Sequence, residues 1–274
     1  MSTAQALSTL RDRLGRSDRM PLVFLGHGSP MNAIEDTGFS RAWSDLGHSL
    51  PRPSAILVIS AHWMTRGTTL VDVSAMPRTI HDFYGFPELL YQQNYPAPGQ
   101  PQLAREVVAL LASHHAAEDE TWGLDHGAWT ILQYLYPEAD VPVFQVSIDM
   151  SRGLDHQIEI GRALSDLRDR GVLILGSGNV VHNLRTMRPG GQPQDFALEF
   201  DKLFADRLTD RDLAALADRQ GLGSLLRVAH PSLDHYFPAL TVAGASDPRD
   251  NLTFMTASID LGSVSMRSFV FHAT

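Results

Sequence analysis

Three histidines stand where a sheet protein with flanking helices keeps its chemistry. The run Pro21-Leu22-Val23-Phe24-Leu25 leads into Gly26-His27-Gly28, and Ala55-Ile56-Leu57-Val58-Ile59-Ser60 leads into Ala61-His62-Trp63. A third run, Val172-Leu173-Ile174-Leu175, passes through Gly176-Ser177-Gly178-Asn179 to Val181-His182. In open α/β sheets ligands bind in the crevice outside the carboxyl ends of the strands. One histidine there is more often a satisfied polar residue than a ligand. Three at one edge, with glycines that let backbone approach closely, argue for a site. Imidazole offers two kinds of chemistry, metal ligation and proton transfer near neutral pH.

Other histidines compete for a place in it. His235 lies in His230-Pro231-Ser232-Leu233-Asp234-His235-Tyr236-Phe237-Pro238, where Ser232 is the expected N-cap and His235 falls in a first helical turn. His230 is its rival, and spacing alone does not choose between them. His126 sits in Trp122-Gly123-Leu124-Asp125-His126-Gly127, and adjacency does not make Asp125 its orienting partner. Three residues are candidates to stand behind the ligands: His81 for its neighbours Asp82, Phe83 and Tyr84, Trp63 as a wall against water, and His230. His114, His115, His156 and His272 read as bland, and His48 is open.

The composition excludes several classes. With 22 basic and 31 acidic residues the net charge is −9, which repels phosphate backbones and anionic membrane surfaces, so neither nucleic acid nor a membrane is an expected partner. Cysteine is absent, so any metal is held by imidazole, carboxylate or backbone oxygen. No apolar run approaches the roughly 18 residues that span a bilayer, and residues 1–20 carry charges without an apolar signal core. Cytoplasmic residence is the expectation. There is no Gly-x-Ser-x-Gly elbow and no His-Glu-x-x-His, and Gly176-Ser177-Gly178-Asn179 lacks the Lys-Ser or Lys-Thr of a phosphate loop.

Short apolar runs alternate with helical patterns, which predicts an α/β single domain with a central mixed, mainly parallel sheet flanked by helices. Strands are expected at 21–25, 55–60, 143–148 and 172–175. Helices are expected over 102–116 and 155–170, the latter capped by Gly171. Two further strands between Leu252 and Phe271, around a turn near Gly262, complete the sheet. Residues 1–20 read as a helical leader, and 76–102 as an ordered loop.

Taken in order, several blocks resemble the class III, LigB-type extradiol ring-cleaving dioxygenases, and among them the 4,5-DOPA extradiol dioxygenase group. They are Leu25-Gly26-His27-Gly28-Ser29-Pro30-Met31-Asn32, Ser60-Ala61-His62-Trp63, Thr79-Ile80-His81-Asp82-Phe83, Tyr95-Pro96-Ala97-Pro98-Gly99 and Gly123-Leu124-Asp125-His126-Gly127. Ser177-Gly178-Asn179-Val180-Val181-His182-Asn183-Leu184 and His235-Tyr236-Phe237-Pro238 follow. The resemblance implies one catalytic extradiol dioxygenase domain over 21–274. It makes His27, His62 and His235 the metal ligands, His182 the acid/base, and His126 a contact to substrate or dioxygen. The wider class usually has glutamate as third ligand; here, as in the DOPA group, a histidine holds that position. Iron(II) is the implied working ion, with a catechol and dioxygen as small-molecule partners. Zinc, which imidazole binds more strongly than iron(II), can occupy such a site in purified protein. Two rivals remain on the same scaffold, a zinc-dependent hydrolase and a non-catalytic binding protein. The resemblance leaves the particular catechol and the oligomeric state open.

Overall fold

Strands that carry no charge and bury every residue must be covered on both faces. Three runs fit that description, and in the computed structural model, which describes Gln5 and residues 19–273, they form the centre of a six-stranded sheet. The strands are β1 (Leu22–Gly26), β2 (Ala55–Ser60), β3 (Val143–Gln145), β4 (Val172–Gly178), β5 (Asn251–Phe254) and β6 (Phe269–His272). They lie in the order β3-β2-β4-β1-β6-β5. The first four are mutually parallel, while β6 runs antiparallel to β1 and β5 antiparallel to β6. The sheet is mixed and mainly parallel, as the alternating pattern predicts.

Period-two alternation sorts each inner strand onto two cores. Leu22, Phe24, Leu57, Ile59 and Ile174 face one side. There they meet α2 (Pro101–Leu110), α4 (Leu154–Leu164), α5 (Asp195–Thr209), α6 (Leu213–Ala217), α7 (Arg219–Ala229) and α8 (Phe237–Gly244). Val23, Leu25, Ile56, Val58, Leu173 and Leu175 face the other, against α1 (Gly38–Ser49) and α3 (His126–Leu135). With both faces closed, the carboxyl edge is where the parallel strands can present polar side chains.

Several boundaries differ from the expectation. The run 143–148 divides after Gln145, and Ile148–Asp149 pairs instead with Met64–Thr65. The helix expected to reach residue 116 ends at Leu110; His115 takes a left-handed conformation (φ 57°), and Ala116–Asp119 pairs with Thr69–Asp72. In the 155–170 stretch α4 gives way at Leu164 to a tighter 3-10 turn, Ser165–Arg170, which Gly171 (φ 77°) closes as expected. The turn at Gly262 belongs to a small hairpin, Ile259–Asp260 with Val264–Ser265, inserted between β5 and β6. The 76–102 stretch holds one short helical turn, Glu88–Tyr91. The helical leader lies outside the described residues save for Gln5, Arg19 and Met20. Among the described residues no helix is long and apolar enough to cross a membrane.

One buried ion pair fastens the start of the sheet to its far edge. Arg168, fully buried, grips Asp250 with two bonds of 2.7 and 3.0 Å and donates from Nε to the Met20 carbonyl at 2.8 Å. Met20 precedes β1 and Asp250 precedes β5. Asp250→Asn should therefore strand a buried guanidinium and cost about 3–5 kcal/mol. A urea midpoint unchanged from wild type would show that the pair does not carry this load.

Candidate metal centre

At the carboxyl edge the strand ends are laced together before any side chain is considered. The His27 amide donates to the Gly178 carbonyl at 3.1 Å, and the Ala61 amide to the Ser177 carbonyl at 2.9 Å. The segment after β4 then meets the chain carrying His235, since the Asn179 amide donates to the His235 carbonyl at 3.0 Å. Gly178 makes that approach possible, because a Cβ there would lie 2.3 Å from the His235 carbonyl oxygen. His235 itself is not in a helical turn as expected. It occupies an irregular turn ahead of α8, and the Ser232 hydroxyl bonds the Asp234 carboxylate instead of capping a helix.

These constraints bring His27, His62 and His235 together, with one ligating atom of each within 4.8 Å of the others. Their ring centroids are 5.0 to 5.1 Å apart. The Nε2 atoms of His27 and His62 are 3.2 Å apart. Bonds of about 2.0–2.1 Å from nitrogen to a first-row divalent metal require nitrogens about 3.0–3.4 Å apart, so this spacing suits a shared ion.

The hydrogen bonds on the far side of each ring say where the protons are. Ser177 donates its hydroxyl to the Gly127 carbonyl at 2.5 Å, so at 2.9 Å it accepts from His27 Nδ1. His62 Nδ1 lies 3.2 Å from an Asp82 carboxylate oxygen, and His235 Nδ1 lies 2.9 Å from an Asp234 oxygen. A carboxylate accepts only, so the His235 Nδ1 carries its hydrogen, while Asp82 faces the His62 Nδ1 as a close charge. The Nε2 atoms of His27 and His235 then present lone pairs, and metal binding requires the His62 Nε2 to do the same. Burial, reinforced by the neighbouring imidazoles, pushes His27 and His235 well below their ordinary pKa. Burial and His126 push His62 down to about 3. All three rings are thus neutral at pH 7, the form that metal binding requires.

Two more histidines complete the cluster. His126 opens α3, its ring centroid 3.9 Å from that of His62. Its amide and its Nδ1 both reach Asp82, at 2.8 and 3.0 Å. Burial alone would raise the Asp82 pKa, but the bond from His126 and the two imidazoles override it and hold the carboxyl below the usual range. Asp125 is not the partner of His126. Fully buried, it caps α3 through the Ala128 amide and accepts from Ser60 at 2.6 Å and Gln145 at 3.1 Å. His182 stacks flat on His235, centroids 3.4 Å apart and planes 7° from parallel. Burial lowers its pKa to about 4, and neither ring nitrogen has a hydrogen-bond partner among the described residues.

The three candidates to stand behind the ligands are placed differently. His230 donates from Nε2 to the Val180 carbonyl at 2.7 Å and packs on Phe200 and Tyr236. Trp63 stacks on Trp122 at 5.7 Å. His81 bonds the Gln93 carbonyl at 2.9 Å and packs on Phe83, which in turn touches the His126 ring. The residues found behind the rings are Ser177, Asp82 and Asp234. A further grouping of His114, His156 and Glu159 lies at the surface.

A family model described as the catalytic LigB subunit of aromatic ring-opening dioxygenase matches residues 21–257. The chain belongs to that family and is an extradiol, aromatic ring-opening dioxygenase by class. An Escherichia coli K12 protein named 4,5-DOPA dioxygenase extradiol is 46% identical over 268 residues, covering 94% of this chain and 97% of that one. A Beta vulgaris protein of the same name is 38% identical, covering 92% and 96%. The crystal structure of an uncharacterized Escherichia coli K12 protein superposes with a TM-score of 0.79 at 42% identity, over 93% of this chain and all of that one.

Three outcomes follow for the metal centre. His235→Ala should abolish metal binding measured by atomic emission, and His230→Ala should leave it; the reverse would exchange their roles. Asp82→Asn should weaken metal affinity about 10–100-fold, as loss of a ligand-orienting partner does. The metal-free protein should lose stability as pH falls from 6.5 towards about 4. Within that window the unfolded chain takes up protons that the buried His182 and His230 refuse until about pH 4. A urea midpoint constant from pH 7.5 to 5 would contradict this.

Proposed function

We propose that His27, His62 and His235 hold iron(II) and that the chain opens the ring of a catechol with dioxygen. The catalytic unit is taken as residues 21–274. What carries this reading is the convergence of three imidazoles, a ligating atom of each within 4.8 Å of the others, beside the rings of His126 and His182. Iron(II) bound there supplies open coordination positions and one-electron chemistry, which zinc, with its filled shell, does not. The names of the relatives make 4,5-DOPA the first catechol to try.

The remaining work falls to the protein's own groups. His182, neutral at pH 7 and free at both nitrogens, takes a proton from a catechol hydroxyl. The Asp234 charge favours the imidazolium that results, and the stack on His235 keeps the ring in place. The same nitrogen then returns the proton to the oxygen that needs it. His126 has its Nδ1 hydrogen committed to Asp82, which fixes the ring and leaves an Nε2 lone pair; once that nitrogen has taken up a proton it can donate to dioxygen or a developing oxyanion.

Iron(II)-loaded protein should consume dioxygen as a catechol disappears and a yellow ring-opened semialdehyde forms, whereas zinc-loaded protein should do neither. Oxygen uptake that does not depend on the catechol would overturn the reading. His182→Ala should keep its metal while turnover falls about 10²–10⁴-fold, the usual value of a positioned acid/base. Metal lost in proportion to activity would make His182 a ligand instead.

A further inference from the structure

A cavity of about 730 Å³ opens beside the segment that carries His235, and its lining is chemically one-sided. Arg152, Arg185, Arg219 and Arg227 line it, and no Asp or Glu does. In a chain with 31 acidic and 22 basic residues, four arginines around one concavity run against the composition. Arg152 lies 3.7 Å from Asp149, but among the described residues no carboxylate pairs with Arg185, Arg219 or Arg227. The volume is that of a small-molecule site. The guanidinium fork matches two oxygens of a carboxylate or phosphate.

The backbone places these side chains on two segments that belong to the metal centre. Arg185 stands in the turn Leu184–Thr186, just after His182. Arg219 and Arg227 lie on α7, which runs directly into the His230–His235 turn. Gly223 breaks α7 between them with φ 55° and ψ −129°, a conformation only glycine adopts readily. Nothing lies within 4 Å of a Cβ built there, so conformation rather than space requires the glycine. The two segments are stitched together: the His182 amide donates to the Ala229 carbonyl at 3.0 Å, and Asn183 Nδ2 donates to the Val228 carbonyl at 2.7 Å. Ser232, in the cavity wall, holds the Asp234 carboxylate that orients His235.

We propose that this cavity binds a small dianionic ligand, carboxylate or phosphate in chemistry, bridging Arg185 on one segment and Arg219 and Arg227 on the other. None of the five clustered imidazoles lines it, so this site is additional to the one that would take the catechol.

Isothermal titration calorimetry of the full-length, metal-loaded protein tests it, with inorganic phosphate and succinate as probes and sodium chloride holding ionic strength constant. Saturable one-to-one binding is expected for at least one of them, and equally in protein stripped of metal. Preference for phosphate assigns a phosphate ester, and preference for succinate a dicarboxylate. Arg219→Ala and Arg227→Ala should each weaken binding about tenfold or more, the usual cost of a lost charge-assisted contact. Their exposed side chains make an unchanged unfolding midpoint the expected control. Neither probe binding would overturn the proposal. So would undiminished binding in the double variant, or binding that vanishes with the metal, which would place the anion at the metal centre.

Discussion

Three imidazoles held with a ligating atom of each within 4.8 Å of the others are the constraint on which the site depends. Two imidazoles left to themselves at 3.2 Å would exchange a hydrogen bond through one Nε2–H. Here the far nitrogens of His27 and His235 hold their hydrogens against Ser177 and Asp234, and Asp82 faces the far nitrogen of His62 at 3.2 Å. Burial adds to this by making protonation of any ring expensive. The fold therefore keeps three uncharged imidazoles together at a spacing that suits a shared cation. Folding energy spent elsewhere, in the two cores on either face of the sheet, keeps the rings from turning away.

The sheet explains why residues so far apart in sequence can be held to such tolerances. His27 and His62 leave the ends of β1 and β2, which flank β4, and β4 supplies Ser177 behind the first ring. His235 enters from the helical layer, brought against the end of β4 by the Asn179 amide and by the absence of a side chain at Gly178. Gly26 meets the same demand on the other side, since a Cβ there would lie 2.9 Å from the Met266 backbone. Glycine in these strands is thus a matter of approach distance rather than of turn geometry.

What could be read from the sequence was whatever depends on local pattern. The apolar runs located the inner strands, their mixed pairing was legible from the C-terminal strands, and the histidines at their ends marked the edge where a site forms. Features decided by distant partners were not legible. Asp82 looked like a mere neighbour of His81, because nothing in its own segment shows that His62 and His126 will converge on it from elsewhere. Ser232 carried a good capping signal, but the Asp234 carboxylate was the stronger partner and the helix starts later, at Phe237. The run 143–148 kept its strand character throughout. It divides because Ile148 finds its partner in Met64 rather than in β2. His230 and His235 were equal on spacing; the structure separates them, since His230 is taken up by the Val180 carbonyl and His235 lies beside His27 and His62.

The charges around the centre show how a neutral triad can serve a buried ion. A glutamate ligand, usual in the wider class, places negative charge directly on the metal. This chain offers three neutral imidazoles as candidate ligands instead, with two carboxylates, Asp82 and Asp234, beside them. A divalent ion with those two acids sums to zero, so a desolvated net charge is avoided just as it would be with direct ligation. With neutral ligands a bound ion's field would be less attenuated, and an anionic oxygen would bind it more strongly. Asp82 also accepts from His126 and lies 3.2 Å from the His62 Nδ1. A change in protonation of the His126 ring is therefore felt at a candidate ligand through a single carboxylate, without any movement of the backbone.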